Sequence, residues 1–550
     1  MDRIALEVIG SALVSIAEEM GHALIKSSYS SNIKERQDCS TAIFNVRGEV
    51  IAQAEHIPMH LGSLIMIVRE ILTRYPVSAL RDGDTFIGND PYTGGSTHLP
   101  DITVASPLFC DGDLVGFVAN IAHHADGSGG PTRTIYDEGL RIPPIRIVEA
   151  GALRADLMEL LLLNFRLPRE RRGDFRAQFA ANRIGAQRVG ELLARYGRQT
   201  CEAAMEELLA YGERKIRAAL RNIPGGVYAF EDWMDDDGAG GPPVPIKVAI
   251  MVADDQIALD WTGTGPQVRG DINVVYLALL ATVYYALKAL LDPTIPANGG
   301  FYRAIRVEAP RGSIVNATPP APVAWRTQTC QRIADVVFGA LAPALPDRVI
   351  GATNGANSAW VFSGLHPHTG QYYVYLETLA GGSGARASKD GLDAVQVHIT
   401  NTSNLPVECL EMEYPLLVEE YAVVPDSGGP GRHRGGLGLR RTIRVRGGEA
   451  TFLGTLDRAR FAPWGIFGGR EGGTASLVLN QGTPAARLLP PKLAGMRLVD
   501  GDSVTIVTPG AGGYGRPSER DGTRVTRDLA EGRISTAIAR EVYGGHEGGR

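Results

Sequence analysis

Two apolar runs, residues 102–109 and 114–121, flank the tetrapeptide Cys110-Asp111-Gly112-Asp113. An Asp-Gly pair between two such runs is a strong hairpin signal, because both positions accept the left-handed backbone of a tight turn. The open end of this hairpin carries chemistry. Thr97-His98-Leu99-Pro100-Asp101 enters it, and Ala122-His123-His124-Ala125-Asp126 leaves it. Imidazoles and carboxylates brought together in this way bind zinc, manganese or iron.

A regular ladder through this turn pairs Cys110 with Asp113, Asp101 with Ala122 and Pro100 with His123. Cross-strand partners share a face and successive residues alternate, so His98 and His123 fall on one face and Asp101 and His124 on the other. One metal cannot take ligands from both faces of a flat ladder. Pro100 has no N–H to give, so the strand starts after it and His98 can swing toward either face. The residues alone give His98 and Asp101 plus one of two neighbouring histidines.

A second hairpin repeats the plan upstream. Asp38 precedes residues 39–45, Arg47-Gly48 turns, and residues 49–54 return toward His56 and His60. Pairing Val46 with Glu49 brings Asp38 opposite Ile57, again an acid near histidines. Six of the eleven histidines (His22, His56, His60, His98, His123, His124) fall in the first 150 residues, which favours a site over scattered surface use. His56 and His60 are balanced between site and structural use. His22, His366, His368, His398, His433 and His546 read as ordinary hydrogen-bonded residues.

At 550 residues the chain can bury a large core and divide into lobes. Hydrophobic content of 44% and charge of 21% are globular values. A net charge of −6 gives no reason to expect nucleic acid. The sequence shows no run of about 20 apolar residues of the kind that spans a bilayer, and Met1-Asp2-Arg3-Ile4 opens into a helical pattern without a signal peptide. Cys39, Cys110, Cys201, Cys330 and Cys409 are odd in number, far apart and without a CxxC, which fits free thiols in a reducing cytoplasm. Cys39 beside Asp38 reads as a small buried hydrophobe rather than a nucleophile.

Helical periodicity predicts helices over 4–27, near 61–75, through most of 152–222, and at 278–290 and 331–341. The run Arg169-Glu170-Arg171-Arg172 reads as a solvated face, and Asp235-Asp236-Asp237-Gly238 as a solvated turn without the closing Glu of a calcium loop. Beyond about residue 370 the chain is strand- and glycine-rich. Residues 425–438, with Arg432 and Arg434, read as a structural loop in preference to an anion site. No GxxxxGK[ST] phosphate loop occurs anywhere. The expected fold class is α+β: multi-lobed, with mixed helices and antiparallel sheets. Residues 1–225 form the metal-site lobe, 226–370 a mixed lobe and 371–520 a β-rich lobe, with 521–550 a polar, partly ordered tail.

Motifs along the chain carry a resemblance. They are Asn32-Ile33-Lys34-Glu35-Arg36-Gln37-Asp38, His56-Ile57-Pro58-Met59-His60-Leu61-Gly62, Asn89-Asp90-Pro91-Tyr92 running to His98-Leu99-Pro100-Asp101, Ala122-His123-His124-Ala125-Asp126, and Glu138-Gly139-Leu140-Arg141-Ile142-Pro143-Pro144. Further on come Gln267-Val268-Arg269-Gly270, Asn401-Thr402-Ser403-Asn404, Asp426-Ser427-Gly428-Gly429-Pro430-Gly431 and Ala462-Pro463-Trp464-Gly465. In this order, over about residues 30–470, they resemble the hydantoinase B/5-oxoprolinase family, which also includes acetone and acetophenone carboxylase subunits.

The resemblance implies metal ligands at Asp38, His98, Asp101 and His123. Asp101 then has to reach the shared metal through a distortion near Pro100. It implies a catalytic role for His124, as a residue that orients a ligand or moves a proton. It implies a divalent transition metal (zinc, manganese or iron) and a partner subunit of actin-like ATPase fold that uses ATP, giving a hetero-oligomer. The implied reaction is ATP-dependent opening of a hydantoin, 5-oxoproline or related lactam; a ketone carboxylase subunit and a non-catalytic scaffold for the ATPase are the alternatives. Val323-Ala324-Trp325-Arg326-Thr327 departs from the pattern, with a bulky Trp325 where hydantoin-cleaving members are expected to have a small residue.

Overall fold

The computed structural model describes residues 3–54, 56–125 and 130–544; Asp126 and His546 lie outside them. The site hairpin belongs to a sheet of seven strands: β1 (Cys39–Phe44), β2 (Val50–Gln53), β3 (Thr85–Gly88), β4 (Asp101–Cys110), β5 (Asp113–His123), β6 (Ile145–Glu149) and β7 (Ala152–Leu153). Their order is β2-β1-β5-β4-β3-β6-β7, antiparallel throughout.

Strand alternation sends two sets of side chains to two cores. Ile43, Ile51, Leu108 and Val118 pack in one cluster with Ile9, Leu13 and Met20 of helix Arg3–Ser27, with Val189 of helix Pro168–Tyr196 and with Leu209 of helix Arg198–Leu220. Ala42, Phe44, Phe117, Ala119 and Ile121 point the other way. They join Ile67 and Ile71 of helix Ile65–Arg74, Leu279 and Val283 of helix Tyr276–Leu291, and Ile333 and Val337 of helix Arg326–Leu341. Each large apolar side chain fully buried in this way contributes about 1.5–3 kcal/mol relative to exposure. This second core is continuous from Ala42 to Ile399.

Helix Pro168–Tyr196 begins with Pro in its first turn and stops at Gly197, whose φ of 81° no side-chain-bearing residue adopts cheaply. Within helix Arg3–Ser27, the stretch Ile4–Ser27 is by length and composition alone apolar enough to cross a membrane. Here it serves as a core helix, with Ile9, Leu13, Met20 and Leu24 inaccessible to solvent.

A four-stranded sheet comprises Gly226–Met234, Val244–Ala253, Gln256–Asp260 and Ile305–Glu308; its last pair is parallel, an exception to the expected antiparallel pattern. The glycine-rich half builds two more antiparallel sheets. One pairs Ala359–Leu365, Tyr372–Thr378, Ala450–Thr455 and Lys492–Leu498; the other holds Leu416–Val423, Leu439–Val445, Ser476–Leu479, Arg487–Leu489 and Ser503–Val507. Its loops pack backbone on backbone: a Cβ on Gly435 would lie 1.9 Å from the Ala511 carbonyl oxygen. The loop at 425–438 is structural, with Arg434 buried against Asp393 and Asp528.

Two readings of charge need correcting. Arg171 is buried, not solvated, and pairs with Asp174, whose other oxygen accepts the Tyr29 and Ser30 N–H groups. Asp235 is buried and ties down a distant loop by accepting the N–H groups of Ala459, Arg460 and Phe461. Asp237 is buried too and accepts those of Ala239 and Gly241. Past residue 520, helices Gly522–Ala530 and Thr536–Glu541 fold around Val525, Ile534 and Tyr543, anchored where Asp528 meets buried Arg520.

Candidate metal centre

The hairpin forms with its turn at Asp111-Gly112, both in left-handed backbone, and Cys110 pairs with Asp113 as expected. The register does not stay regular. Phe109 pairs with Leu114 but Leu108 pairs with Gly116, so Val115 is an extra residue on β5. This bulge slips every later pair by one, and Asp101 lies opposite His123 rather than Ala122. A one-residue slip exchanges faces. Asp101 and His123 therefore share a face without any distortion at Pro100; the needed distortion sits at the other end of the hairpin.

On the opposite edge of β5, Cys39 pairs with Ala122, and the His123 N–H donates to the Asp38 carbonyl (3.0 Å). Asp38, His123 and Asp101 thus form one row across β1, β5 and β4. The second hairpin pairs Ala42 with Gln53 as expected, but its own bulge next to Phe44 closes the turn as Asn45 to Glu49 instead of Val46 to Glu49. Asp38 reaches the site through β5, not through its own hairpin.

His98 lies just outside the ladder, in the loop before Pro100. Its Nδ1 donates to the Ala324 carbonyl (3.0 Å), which places the proton there and leaves a lone pair on Nε2. Nε2 stands 3.2 Å from Oδ2 of Asp101. Two acceptor lone pairs face each other at that distance, and nothing satisfies buried Nε2 of His98 or Oδ1 of Asp101. Ligand atoms of His98, Asp101 and His123 all lie within 4.8 Å of one another. A cation between them removes the repulsion and satisfies both orphans, so the donor set fits a divalent transition metal.

Neighbouring groups hold these side chains in place. Arg326, buried, donates to Asp101 Oδ2 (2.7 Å) and to Thr97 Oγ1 (2.7 Å). Asn32 donates to the His123 carbonyl (2.7 Å), and its Nδ2 lies 3.1 Å from the ring Nδ1. Burial, then the Arg326 charge, lowers the pKa of His98, and burial carries that of His123 well down. Both imidazoles are therefore neutral, the form that binds metal. Burial works against the Asp101 carboxylate, but the Arg326 guanidinium helps hold the group well below its ordinary range. Asp38 shifts the other way, because burial raises it more than His60 lowers it.

His60 completes the cluster. It is buried in helix Pro58–Ser63, with Nδ1 on Ser40 Oγ (3.2 Å) and Nε2 3.9 Å from Asp38 Oδ1 and 3.8 Å from Asp101 Oδ1. His56 points elsewhere, edge-on to His22 at 6.5 Å. His398 pairs with Asp335, and His366 accepts the His368 N–H. Cys39 is fully buried among Ala122, Ala177 and Ala181, and burial raises its thiol pKa. All five cysteines are free.

His124 lies on the other face of β5. Its Nε2 meets Gln178 Oε1 at 3.0 Å, and its ring stacks on Phe175 at 4.9 Å. Burial, then Arg171, lowers its pKa to about 4. It does not line the cavity that the cluster faces, so the geometry removes it from the substrate's reach and makes it part of the packing beneath the metal row.

That cavity has a volume of about 220 Å3. Asp38, His60, His98, Asp101 and His123 line it. Met59, Val361, Leu376, Ile399 and Leu453 supply an apolar wall, and Trp325 lies along it. A small ring with one polar edge suits such a space.

The hydantoinase B/oxoprolinase family model matches residues 2–517. The chain is 35% identical to a putative D-/L-hydantoinase subunit of Pseudomonas sp. (strain NS671), over 99% of this chain and 95% of that one. It is 33% identical to 5-oxoprolinase PfmaA of Pestalotiopsis fici, over 96% of this chain but 42% of that longer one. The crystal structure of the ATP-dependent caprolactamase from Pseudomonas jessenii superposes with a TM-score of 0.93 at 30% identity, covering 99% of this chain and 96% of that one. The chain belongs to the hydantoinase B/oxoprolinase family.

Proposed function

We propose that this chain is the metal-dependent subunit of an ATP-dependent cyclic-amide hydrolase that works with an actin-like ATPase subunit. The observation that carries the reading is the row of Asp38, His123 and Asp101 beside His98, with two buried ligand atoms left unsatisfied at the end of a small cavity. The relatives' names support the substrate class, since hydantoin, 5-oxoproline and caprolactam are all cyclic amides. A relative named as a subunit, and a 5-oxoprolinase of which this chain matches 42%, support a partner that supplies the ATP chemistry.

Amide resonance makes an unstrained lactam a poor electrophile, so coupling to ATP is chemically reasonable. Zinc, manganese or iron held by Asp38, His98, Asp101 and His123 would supply Lewis acidity and a more acidic water. The chain's own residues do the positioning. The Ala324 carbonyl fixes the His98 tautomer, Arg326 fixes Asp101, and Asn32 fixes His123. Met59, Val361, Leu376 and Leu453 exclude bulk water from the reacting carbon.

Elemental analysis of wild type beside His98→Ala tests the site. The expected result is a transition metal near one per chain in wild type, lost in a variant that still folds. Absence of metal from wild type both alone and with its ATPase partner would favour the scaffold reading. Product analysis with ATP and partner tests the reaction, and a carboxylated product formed only with bicarbonate would move the chain to the carboxylase branch.

A further inference from the structure

We propose that Glu138 is the general acid that delivers a proton to the ring nitrogen as the C–N bond breaks. This rests on the hydrolase reading above. An amide nitrogen does not leave as an anion, so a positioned donor is required on the cavity wall.

The geometry singles out Glu138. It lines the metal cavity, following the short helical turn Ile135–Asp137. One carboxyl oxygen, Oε1, is pinned by the backbone N–H groups of Val323 and of Ala324 (2.8 Å to the latter). The other, Oε2, is buried and has no partner. The same Ala324 residue whose N–H donates to Glu138 accepts the His98 Nδ1 proton at its carbonyl, so one residue's backbone separates this carboxyl from a metal ligand.

Of the two other described cavity carboxyls outside the metal cluster, Asp271 has its Oδ2 engaged by the Thr132 hydroxyl (2.5 Å). Asp137 turns away to accept the Thr134 N–H and hydroxyl. Among the described cavity carboxyls outside the metal cluster, Glu138 is the one with a buried oxygen that has no partner.

The charged groups around Glu138 agree. Asp271 disfavours its carboxylate, whereas Arg326 and the two backbone donors favour it. Burial outweighs the favourable contacts and pushes the carboxyl up to about 8. It therefore carries its proton at neutral pH, on the unpinned oxygen. In the step, a water oxygen bonds to the ring carbon, the C–N electron pair moves onto nitrogen, and nitrogen takes the Glu138 proton. The proton shed by the added water restores the acid.

Glu138→Gln keeps the Oε1 acceptor and removes the acid. In the complex with its ATPase partner, kcat for a cyclic amide should fall roughly 10²- to 10⁴-fold, the usual worth of a general acid. A p-nitrophenyl ester, whose leaving group needs no proton, should be hydrolysed at close to the wild-type rate. Equal losses on both substrates would overturn the proposal. Elemental analysis should show unchanged metal content, and Glu138→Asp should recover part of the loss.

Infrared difference titration gives a readout free of turnover. A protonated-carboxyl band should persist at neutral pH, titrate near 8 and vanish in Glu138→Gln. A band that titrates in the ordinary glutamate range would also overturn the proposal. If the native complex opens no cyclic amide, the hydrolase reading and the acid role fall together. The infrared result then still decides whether the cavity holds a protonated carboxyl.

Discussion

Replacing Arg326 with Met tests the electrostatic logic of the site without touching a ligand. Arg326 is buried, and its guanidinium lies 2.7 Å from Asp101 Oδ2, with both side chains at most 3% exposed. Removing one partner of such a pair strands the other charge, which costs about 3–5 kcal/mol. The Met variant without metal should lose that much stability. A divalent ion also compensates Asp101, so metal should stabilise the variant more than wild type. Metal at 100 times its Kd adds about 2.7 kcal/mol to any state that binds it, and tighter coupling in the variant adds to that.

The pH dependence has a defined sign. Asp101 sits well below its ordinary range when folded, so its contribution is present above about pH 4 and is lost as pH falls toward the folded value. The gap between wild type and Arg326→Met should therefore narrow below about pH 4. The assay is thermal unfolding of both proteins, with chelator and with zinc or manganese, across pH. An equal loss of Tm with and without metal, at every pH, would refute the assignment of Asp101 as a ligand compensated by Arg326.

Two further outcomes follow from the same geometry. Trp325→Ala opens the cavity wall between Ala324 and Arg326, so kcat/KM should rise for cyclic amides with bulky ring substituents relative to unsubstituted ones; an unchanged ratio would show that Trp325 does not line the substrate path. His124→Ala should keep its metal and its kcat within a few-fold while losing about 1–3 kcal/mol of stability, the cost of a buried hydrogen bond and ring contact. Metal loss or abolished turnover in folded His124→Ala would restore the catalytic role that the family pattern implies.

Local signals make much of the site legible in the sequence. Asp111-Gly112 specifies its turn through backbone conformation, and the acids and histidines flank the strands that the turn joins. The strand bulge escapes a regular-ladder reading, and it decides which residues share a face. Its trace in the sequence is Gly116, a lone glycine within a strand pattern. The Phe44 carbonyl would lie 2.3 Å from a Cβ there, so β1 demands a bare backbone beside the extra residue.

His60 and Arg326 are harder to place, because each reaches the cluster from a separate helix and only tertiary packing aligns them. Burial of Arg171 and Asp235 cannot be read from composition either. Their partners Asp174 and residues 459–461 lie respectively one helical turn and over 200 positions away, and charged runs are usually solvated.

The row of Asp38, His123 and Asp101 would also set how fast the proposed metal exchanges. Asp101 and His123 sit on hydrogen-bonded neighbouring strands within a seven-stranded sheet, and Asp38 directly precedes the third, its carbonyl accepting the His123 N–H. Spreading them means breaking the ladder on both sides of β5, an opening whose free energy approaches that of unfolding the lobe. Loading and loss of an ion held there would therefore be governed by His98, which lies in the loop before the hairpin, and by the cavity before it. Exchange of isotopically labelled zinc should be slow in wild type, quicken when the Ala324–His98 contact is loosened, and remain insensitive to mutations in surface loops.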